Sequence, residues 1–165
     1  MQRVCGLPCA VKVARLKRVK NAEKLARKRK KDDLEKIKTL TDHRRDTQGI
    51  FNTYIRLRDM HRPCISCGQS PYQGQRHASH FRSRAAASQL SYNFLNVWAS
   101  CAQCNSMKSG NITEFRVALA QILTPGQLEA IEYNNEKAYY TKEYLKRLQV
   151  ILRRRVKYYK KLRGV

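Results

Sequence analysis

The sequence predicts a mainly helical α+β protein in which long basic helices flank a small zinc-stabilised module. Three observations lead to this prediction. The chain of 165 residues has 35 Lys and Arg against 12 Asp and Glu. Four of its six cysteines form two closely spaced pairs near the middle, and glycines interrupt that middle region, whereas the flanking stretches have helical periodicity. A chain of this length accommodates one compact domain with appendages.

The charge of the chain narrows the classes of function. A formal net charge of +23 attracts polyanions, of which nucleic acid is the commonest. No apolar run approaches the roughly 20 residues that a membrane span needs, and the N-terminus lacks the apolar segment of a secretory signal. We therefore expect a cytoplasmic protein with no membrane partner. In a reducing compartment, closely spaced cysteines indicate metal ligation rather than a disulfide framework.

The composition divides the chain into three predicted regions. Residues 1–46 form a basic arm, residues 47–123 hold the module with its packing helices, and residues 124–165 form a basic helical region. From Lys12 to Asp46 a long helix is predicted, with so thin an apolar stripe that a partner or DNA must stabilise it, or it stays incompletely formed alone. A merely solubilising arm is the alternative. Thr47 is predicted to cap a second helix.

The middle region predicts two short strands and a loop. Gln75 to Arg82 and Leu95 to Ala99 have strand length, whereas Ser83 to Phe94 has weak periodicity and reads as a loop. A helix is expected to begin near Cys104.

Three further helices are predicted after the middle region. They begin near Thr113, Pro125 and Thr141. In the last helix apolar residues recur at three- and four-residue steps from Tyr144 to Tyr159, opposite a strongly basic face. This apolar face permits a homodimer but does not establish one.

Two C-x2-C motifs predict a structural zinc site. Cys64 and Cys67 form the first pair, and Cys101 and Cys104 form the second after a gap of 33 residues. Each turn can direct two thiolates at one ion with tetrahedral geometry. The gap is longer than in a plain zinc ribbon, which suggests a functional insertion. The alternative is four free buried cysteines.

Cys5 and Cys9 form a third pair without a second pair nearby. Two interpretations stay open: they are unpaired thiols, or they are half of a zinc finger whose other half lies upstream.

The middle of the chain resembles the NinG (Rap) recombination proteins of lambdoid phages. The segments that carry this resemblance are Cys64-Ile65-Ser66-Cys67-Gly68, Ala78-Ser79-His80-Phe81-Arg82, Ala85-Ala86-Ala87, Gln89-Leu90 and Cys104-Asn105, followed by Lys108-Ser109-Gly110-Asn111. The similarity extends more loosely over residues 47 to 160. Those proteins look like HNH-related, structure-specific endonucleases that act on branched recombination intermediates. The family's longer N-terminal finger would end at Cys5 and Cys9, which raises the possibility of an internal start at Met1.

The resemblance implies a ββα-metal (HNH-like) module with three key residues. His80 stands where the HNH pattern places its water-activating base, and a near-neutral pKa suits that role. Asn105, directly after a zinc ligand, is expected to bind a catalytic Mg2+ or Mn2+ ion. Helix capping is the alternative for Asn105, and a structural role is the alternative for His80. Asn96 corresponds to the middle residue of the pattern and should connect the loop to the hairpin.

The remaining site candidates are less specific. Many HNH sites have an acidic residue or histidine directly before the base, but here that residue is Ser79, so His77 is the candidate second ligand of the catalytic metal. Arg82, Arg84 and Lys108 can bind the phosphate backbone, although each can also be a solvated charge.

The resemblance therefore implies an HNH-type, metal-dependent endonuclease that cuts branched DNA, such as a Holliday junction or D-loop, in phage or prophage recombination. The alternative is a zinc-stabilised nucleic-acid-binding protein without catalysis. Trp98, in an apolar strand-like run, is expected in the core rather than as a surface for base stacking.

Overall fold

The computed structural model describes residues 5–70 and 74–165, and the proposed start at Met1 lies outside them. The chain forms two units, one ending at Thr39 and one spanning Leu40–Val165. The first unit consists mainly of helix α1, Leu7–Ile37. Its 12 Lys and Arg against 4 Asp and Glu, and its lack of any buried side chain, agree with the predicted basic helix.

The second unit begins with helix α2, Leu40–Arg58. The prediction of one helix up to Asp46 was wrong, because the backbone leaves the helical region at Lys38 (φ −58°, ψ 130°). Thr47 is not a cap either. It is fully buried within α2, where its hydroxyl donates to the His43 carbonyl at 2.6 Å. Basic residues occur on both sides of this break, so the composition did not reveal where the solvated helix α1 ends and the packed helix α2 begins.

Helix α5, Lys142–Arg163, packs along α2. Thr141 caps it as predicted, its hydroxyl accepting from Tyr144 N–H at 3.1 Å. The Gln149 amide donates to the Thr47 hydroxyl, and the Arg163 guanidinium donates to the Arg58 carbonyl, so the two helices run in the same direction. Leu145 and Leu152 on the apolar face of α5 are thus buried within the chain, whereas Tyr144 and Ile151 on the same face stay about half exposed.

Along the chain, a two-stranded antiparallel hairpin lies between α2 and α5. Strand β1, Arg76–His80, pairs with strand β2, Val97–Cys101, with His80 opposite Val97. Both strands are shorter than, or offset from, the predicted ranges. The connecting segment is irregular as predicted, apart from a short 3-10 helix at Ser88–Leu90.

A single π-helical turn, Gln103–Met107, follows β2 where a helix was expected to begin. Helices α3, Ile112–Ile122, and α4, Pro125–Glu132, come next, and α4 begins with the capping box of Thr124 and Gln127. The unit therefore runs across both sequence-predicted boundaries, 46/47 and 123/124.

Two hydrophobic clusters hold the hairpin between the helices. One cluster joins it to α2 and α5, and its buried members are Phe51, Tyr54, Ile55, Tyr92, Val97, Leu145 and Leu152. The other joins it to α3 and α4, and its buried members are Phe81, Ala87, Leu90, Trp98, Phe115, Leu119, Leu123, Leu128 and Ile131.

Trp98 lies in the core as predicted, at 7% exposure. The Arg58 guanidinium lies 4.5 Å from the centre of its ring and forms a two-bond ion pair with the buried Asp59. The Asp59 carboxylate also accepts the Ala99 N–H at 3.0 Å. Because a buried charge is stable only when it is paired and hydrogen-bonded, this network fixes the end of α2 against β2.

Within the part of the chain that the structure describes, every helix is too short or too polar to span a membrane.

We predict that Leu152→Ala lowers the free energy of unfolding by about 2–5 kcal/mol, because Leu152 is fully buried between α2 and α5. Val150 lies two residues before Leu152 and is 48% exposed. Val150→Ala should change the free energy of unfolding by about 0.5 kcal/mol or less. Urea unfolding followed by circular dichroism measures both. Equal losses would contradict the packing described for α5.

Candidate functional site

The four central cysteines converge on one point. The sulfur atoms of Cys64, Cys67, Cys101 and Cys104 all lie within 4.8 Å of one another. The Sγ atoms of Cys67 and Cys101 are 3.9 Å apart. Four thiolates about 2.3 Å from one zinc ion would stand about 3.8 Å apart in a tetrahedron. The cluster can therefore hold a structural zinc ion.

The backbone around the cluster has the geometry of zinc knuckles. The Gly68 N–H donates to the Cys64 carbonyl at 2.9 Å, and Gly68 has φ +69°, which favours glycine. Backbone N–H groups also point at sulfur, from Cys101 to Cys64 Sγ and from Cys104 to Cys101 Sγ. These hydrogen bonds stabilise negative charge on the sulfur atoms.

The pKa values of the cluster thiols shift in different directions. Burial raises the pKa of the Cys67 and Cys104 thiols, whereas for Cys64 the backbone hydrogen bonds outweigh burial and lower the pKa. Zinc binds the thiolate form, so a divalent ion at the centre would offset the cost of ionising buried thiols.

Cys5 and Cys9 lie in the first unit, with Cys9 in the first turn of α1. Neither belongs to the four-cysteine cluster, which is the one potential metal-binding group found among residues 5–70 and 74–165.

His80 lies at the end of β1 with its ring held by one hydrogen bond. Its Nε2 is 3.1 Å from the Ser91 carbonyl oxygen, and because a carbonyl only accepts, this nitrogen carries the hydrogen. Burial lowers the pKa of His80, and the positive charge of Arg84 lowers it further. The imidazole is therefore neutral at physiological pH, with the lone pair on Nδ1 available to accept a proton.

Asn105 lies in the π-helical turn, one residue after Cys104. Its Oδ1 accepts a hydrogen bond from the Ser79 hydroxyl, and its Nδ2 lies 3.0 Å from His77 Nδ1. These contacts fix the direction of the amide, because the hydroxyl donates to the oxygen and the ring nitrogen accepts from the amino group. A second lone pair on Oδ1 is left for another partner.

Ser79 has a role that the sequence pattern did not reveal. Its side chain is 2% exposed and lies on the same face of β1 as His77. Its oxygen also bonds to the Ser100 hydroxyl on β2, so one chain of hydrogen bonds joins both strands to Asn105. An alternation of polar residues on one face of the predicted strands was the available signal for it.

Asn96 is fully buried and connects the loop to the hairpin, as expected. Its Nδ2 donates to the carbonyls of Arg82 and Leu90, and its Oδ1 accepts the Arg82 N–H at 2.9 Å. Leu90 directly precedes Ser91, whose carbonyl holds His80, so Asn96 supports the position of the His80 ring indirectly.

A cavity of about 350 Å³ brings together His80, Arg84 and Asn105. Lys108 is not part of it; it lines a separate apolar groove of about 810 Å³ beside the first knuckle. The guanidinium of Arg82 is directed at the end of α4, where it donates to the carbonyls of Ile131, Glu132 and Asn134. Arg82 thus has a structural partner for its charge.

Comparison with known proteins shows the family to which the chain belongs. The family model described as Bacteriophage Lambda NinG protein matches residues 1–162. The chain belongs to the NinG family. Protein ninG of Escherichia phage lambda is 35% identical over 113 residues, 68% of this chain and 55% of that protein. Protein ninG of Escherichia phage 933W is 37% identical over 99 residues, 60% of this chain and 49% of that protein.

This NinG-family chain spans about half the length of the curated relatives that it matches. No solved structure gives a significant match to it.

We predict close to one tightly bound zinc per chain of this NinG protein, measured by metal analysis after gel filtration. Cys101→Ser should lose the ion and unfold the second unit, because the binding energy of a structural zinc is largely folding energy. The double variant Cys5→Ser/Cys9→Ser is the matched control and should keep both the zinc and the fold. A folded, zinc-free Cys101→Ser protein would refute the assignment.

The pKa of His80 should also respond to Arg84. Removing a nearby positive charge stabilises the protonated imidazole, so Arg84→Gln should raise the pKa of His80 toward the ordinary value for histidine. Histidine ring resonances recorded by NMR between pH 5 and 8, assigned with His80→Ala, measure it. Lys108→Gln should leave the titration unchanged. A lower pKa in Arg84→Gln would contradict the electrostatic argument.

Proposed function

We propose that this protein is a metal-dependent, HNH-type endonuclease that cuts branched DNA recombination intermediates, of the Holliday-junction or D-loop type. It would act in phage or prophage recombination in the cytoplasm of the bacterial host. The observation that carries the proposal is the shared cavity of His80 and Asn105, each held in one orientation by hydrogen bonds. A neutral base and an amide oxygen beside a cationic side chain match the needs of phosphodiester hydrolysis.

His80 would act as the general base. With Nε2 donating to the Ser91 carbonyl, the lone pair of Nδ1 accepts a proton from the attacking water. The lowered pKa of the imidazole keeps this lone pair free at physiological pH. The Ser91 carbonyl also stabilises the imidazolium that forms, because it accepts from the same Nε2–H in both states.

Asn105 would hold the catalytic metal through the remaining lone pair of Oδ1. The donor set fits a hard ion, because the cavity offers an amide oxygen and hydroxyls but no thiolate. Mg2+ or Mn2+ keeps most of its waters, needs few protein ligands, and would neutralise charge on the scissile phosphate and the leaving oxygen. His77 then positions Asn105, since its Nδ1 already accepts from the amide.

Arg84 would bind the substrate backbone at the cavity. It is exposed, it lines the cavity, and within residues 5–70 and 74–165 it has no ion-pair partner. A guanidinium matches phosphate oxygens with two parallel hydrogen bonds. Helices α1 and α5, with 12 and 10 Lys and Arg, would add phosphate contacts that do not depend on base sequence.

One observation favours the alternative, a zinc-stabilised DNA-binding protein without catalysis. The described lining of the cavity contains no carboxylate, and Ser79 occupies the position before His80 where HNH sites often have an acidic residue or histidine. A metal held by Asn105 alone would bind weakly. Cleavage assays separate the two functions.

We predict that the purified zinc-loaded protein cuts four-way junction, D-loop or flap DNA in Mg2+ or Mn2+ and cuts matched linear duplex more slowly. His80→Ala should lose about 100- to 10,000-fold in cleavage rate while keeping zinc, fold and DNA affinity. His61→Ala, at an exposed histidine, is the matched control and should cut at the wild-type rate.

Asn105→Ala should fail in a different way. Its activity should recover in part at higher Mg2+ or with Mn2+, because the defect is in metal affinity, whereas that of His80→Ala should not. If His80→Ala cuts branched DNA at the wild-type rate, the proposed mechanism is wrong and the non-catalytic function becomes the better one.

A further inference from the structure

A second polar cavity adjoins the proposed catalytic one. It has a volume of about 590 Å³ and lies between the first half of α2 and the segment that follows β1. Arg84 lines both cavities. Ser91, whose carbonyl holds His80, is part of its wall. The two cavities therefore adjoin at Arg84, and we call the second one the arginine groove.

One face of α2 supplies a row of hydrogen-bond donors to the arginine groove. Arg44, Gln48 and Asn52 line it at steps of four residues, and Arg45 lies three residues before Gln48, which places all four along one side of a helix. Gln48 Nε2 donates to Asn52 Oδ1 at 2.7 Å, which leaves the Asn52 amino group as a donor.

The charge of the arginine groove is strongly positive. Its described lining holds three arginines and no carboxylate. Arg45 is paired with Asp42 at 2.8 Å, so part of its charge is compensated. The side chains of Arg44 and Arg84 form no ion pair or side-chain hydrogen bond within residues 5–70 and 74–165.

The floor of the groove is rigid and stays neutral. The Tyr92 hydroxyl donates to the Arg44 carbonyl at 3.2 Å, and the Tyr140 hydroxyl donates to the Gln89 carbonyl at 2.7 Å. The two rings pack edge to face at 5.0 Å. Burial raises the pKa of Tyr140 to about 12, so the floor does not acquire negative charge under the conditions in which DNA is bound.

We propose that the arginine groove binds the phosphate backbone of the DNA strand as it leaves the catalytic cavity, with Arg44 and Arg84 as its principal contacts. This inference rests on the proposed function for the location of the scissile phosphate. Guanidinium, amide and hydroxyl groups are the donors that proteins use on phosphates. Because phosphate contacts carry no sequence information, the contact would fix the direction of the strand rather than select its sequence.

The test compares two double variants with the same change in net charge. Arg44→Gln/Arg84→Gln removes the groove's unpaired cations. Lys160→Gln/Lys161→Gln removes two exposed cations near the C-terminal end of α5. That end lies beside Arg58, about 21 Å along α2 from Arg44. All four side chains are exposed, so both variants should fold, which circular dichroism and zinc content confirm.

DNA binding is measured by fluorescence anisotropy with a labelled four-way junction, in the zinc-loaded protein without added Mg2+ or Mn2+, between 50 and 200 mM salt. Loss of two phosphate contacts should lower the slope of log K against log salt by about 2. The loss of affinity across this salt range should then be about tenfold smaller for the groove variant than for the wild type. The Lys160/Lys161 variant should change the slope by less than half as much.

Single uncharged methylphosphonates along the junction arms locate the contact. The wild type and the Lys160/Lys161 variant should lose DNA affinity when the methylphosphonate lies in one cluster of positions. At these positions the affinity of the groove variant should not change. Equal slopes and equal interference patterns in the two double variants would overturn the proposal that the arginine groove binds DNA. They would not contradict the proposed nuclease function. Conversely, a groove-specific pattern in a protein that cuts no DNA would support the groove and overturn the proposed function.

Discussion

Convergence of four cysteine sulfurs on one point is the constraint on which the site depends. Cys101 ends β2 and Cys104 lies in the π-helical turn, so a zinc ion there would fix how the chain leaves the hairpin. Asn105 follows directly, and its amide therefore meets Ser79 on the neighbouring strand. The loop at Cys64 adds no group to the cavity at His80 and Asn105, but it supplies two of the four sulfurs that could hold the zinc ion.

The sequence predicted the parts of this arrangement that depend on spacing and local chemistry. Two C-x2-C pairs predict a four-sulfur cluster because a knuckle is a local turn, and the cluster forms. Helix starts were predicted near Pro125 and Thr141, and the hydroxyls of Thr124 and Thr141 accept from N–H groups three residues later at those starts. Asn96 was expected to connect the loop to the hairpin, and its side chain is buried and donates to the Arg82 carbonyl.

Other features depend on contacts between distant residues and could not be read from local pattern. Thr47 resembles a helix cap, yet it lies inside α2 because Gln149 on α5 meets its hydroxyl. The contacts of Arg82 with the carbonyls at the end of α4 join residues 49 to 52 positions apart, so the sequence around Arg82 does not reveal them. The cavity at His80 and the arginine groove likewise adjoin at Arg84 only because distant segments of the chain pack together.

We propose that a hard divalent ion binds at Asn105, which lines the same cavity as His80. Paramagnetic broadening by Mn2+ tests it most directly, with the zinc-loaded protein and its histidine ring resonances assigned by single substitutions. Substoichiometric Mn2+ should broaden the resonances of His77 and His80 first and leave those of His43 and His61 sharp, and Asn105→Ala should require more Mn2+ for the same effect. Equal broadening of all four histidines, or broadening that Asn105→Ala does not change, would contradict the account.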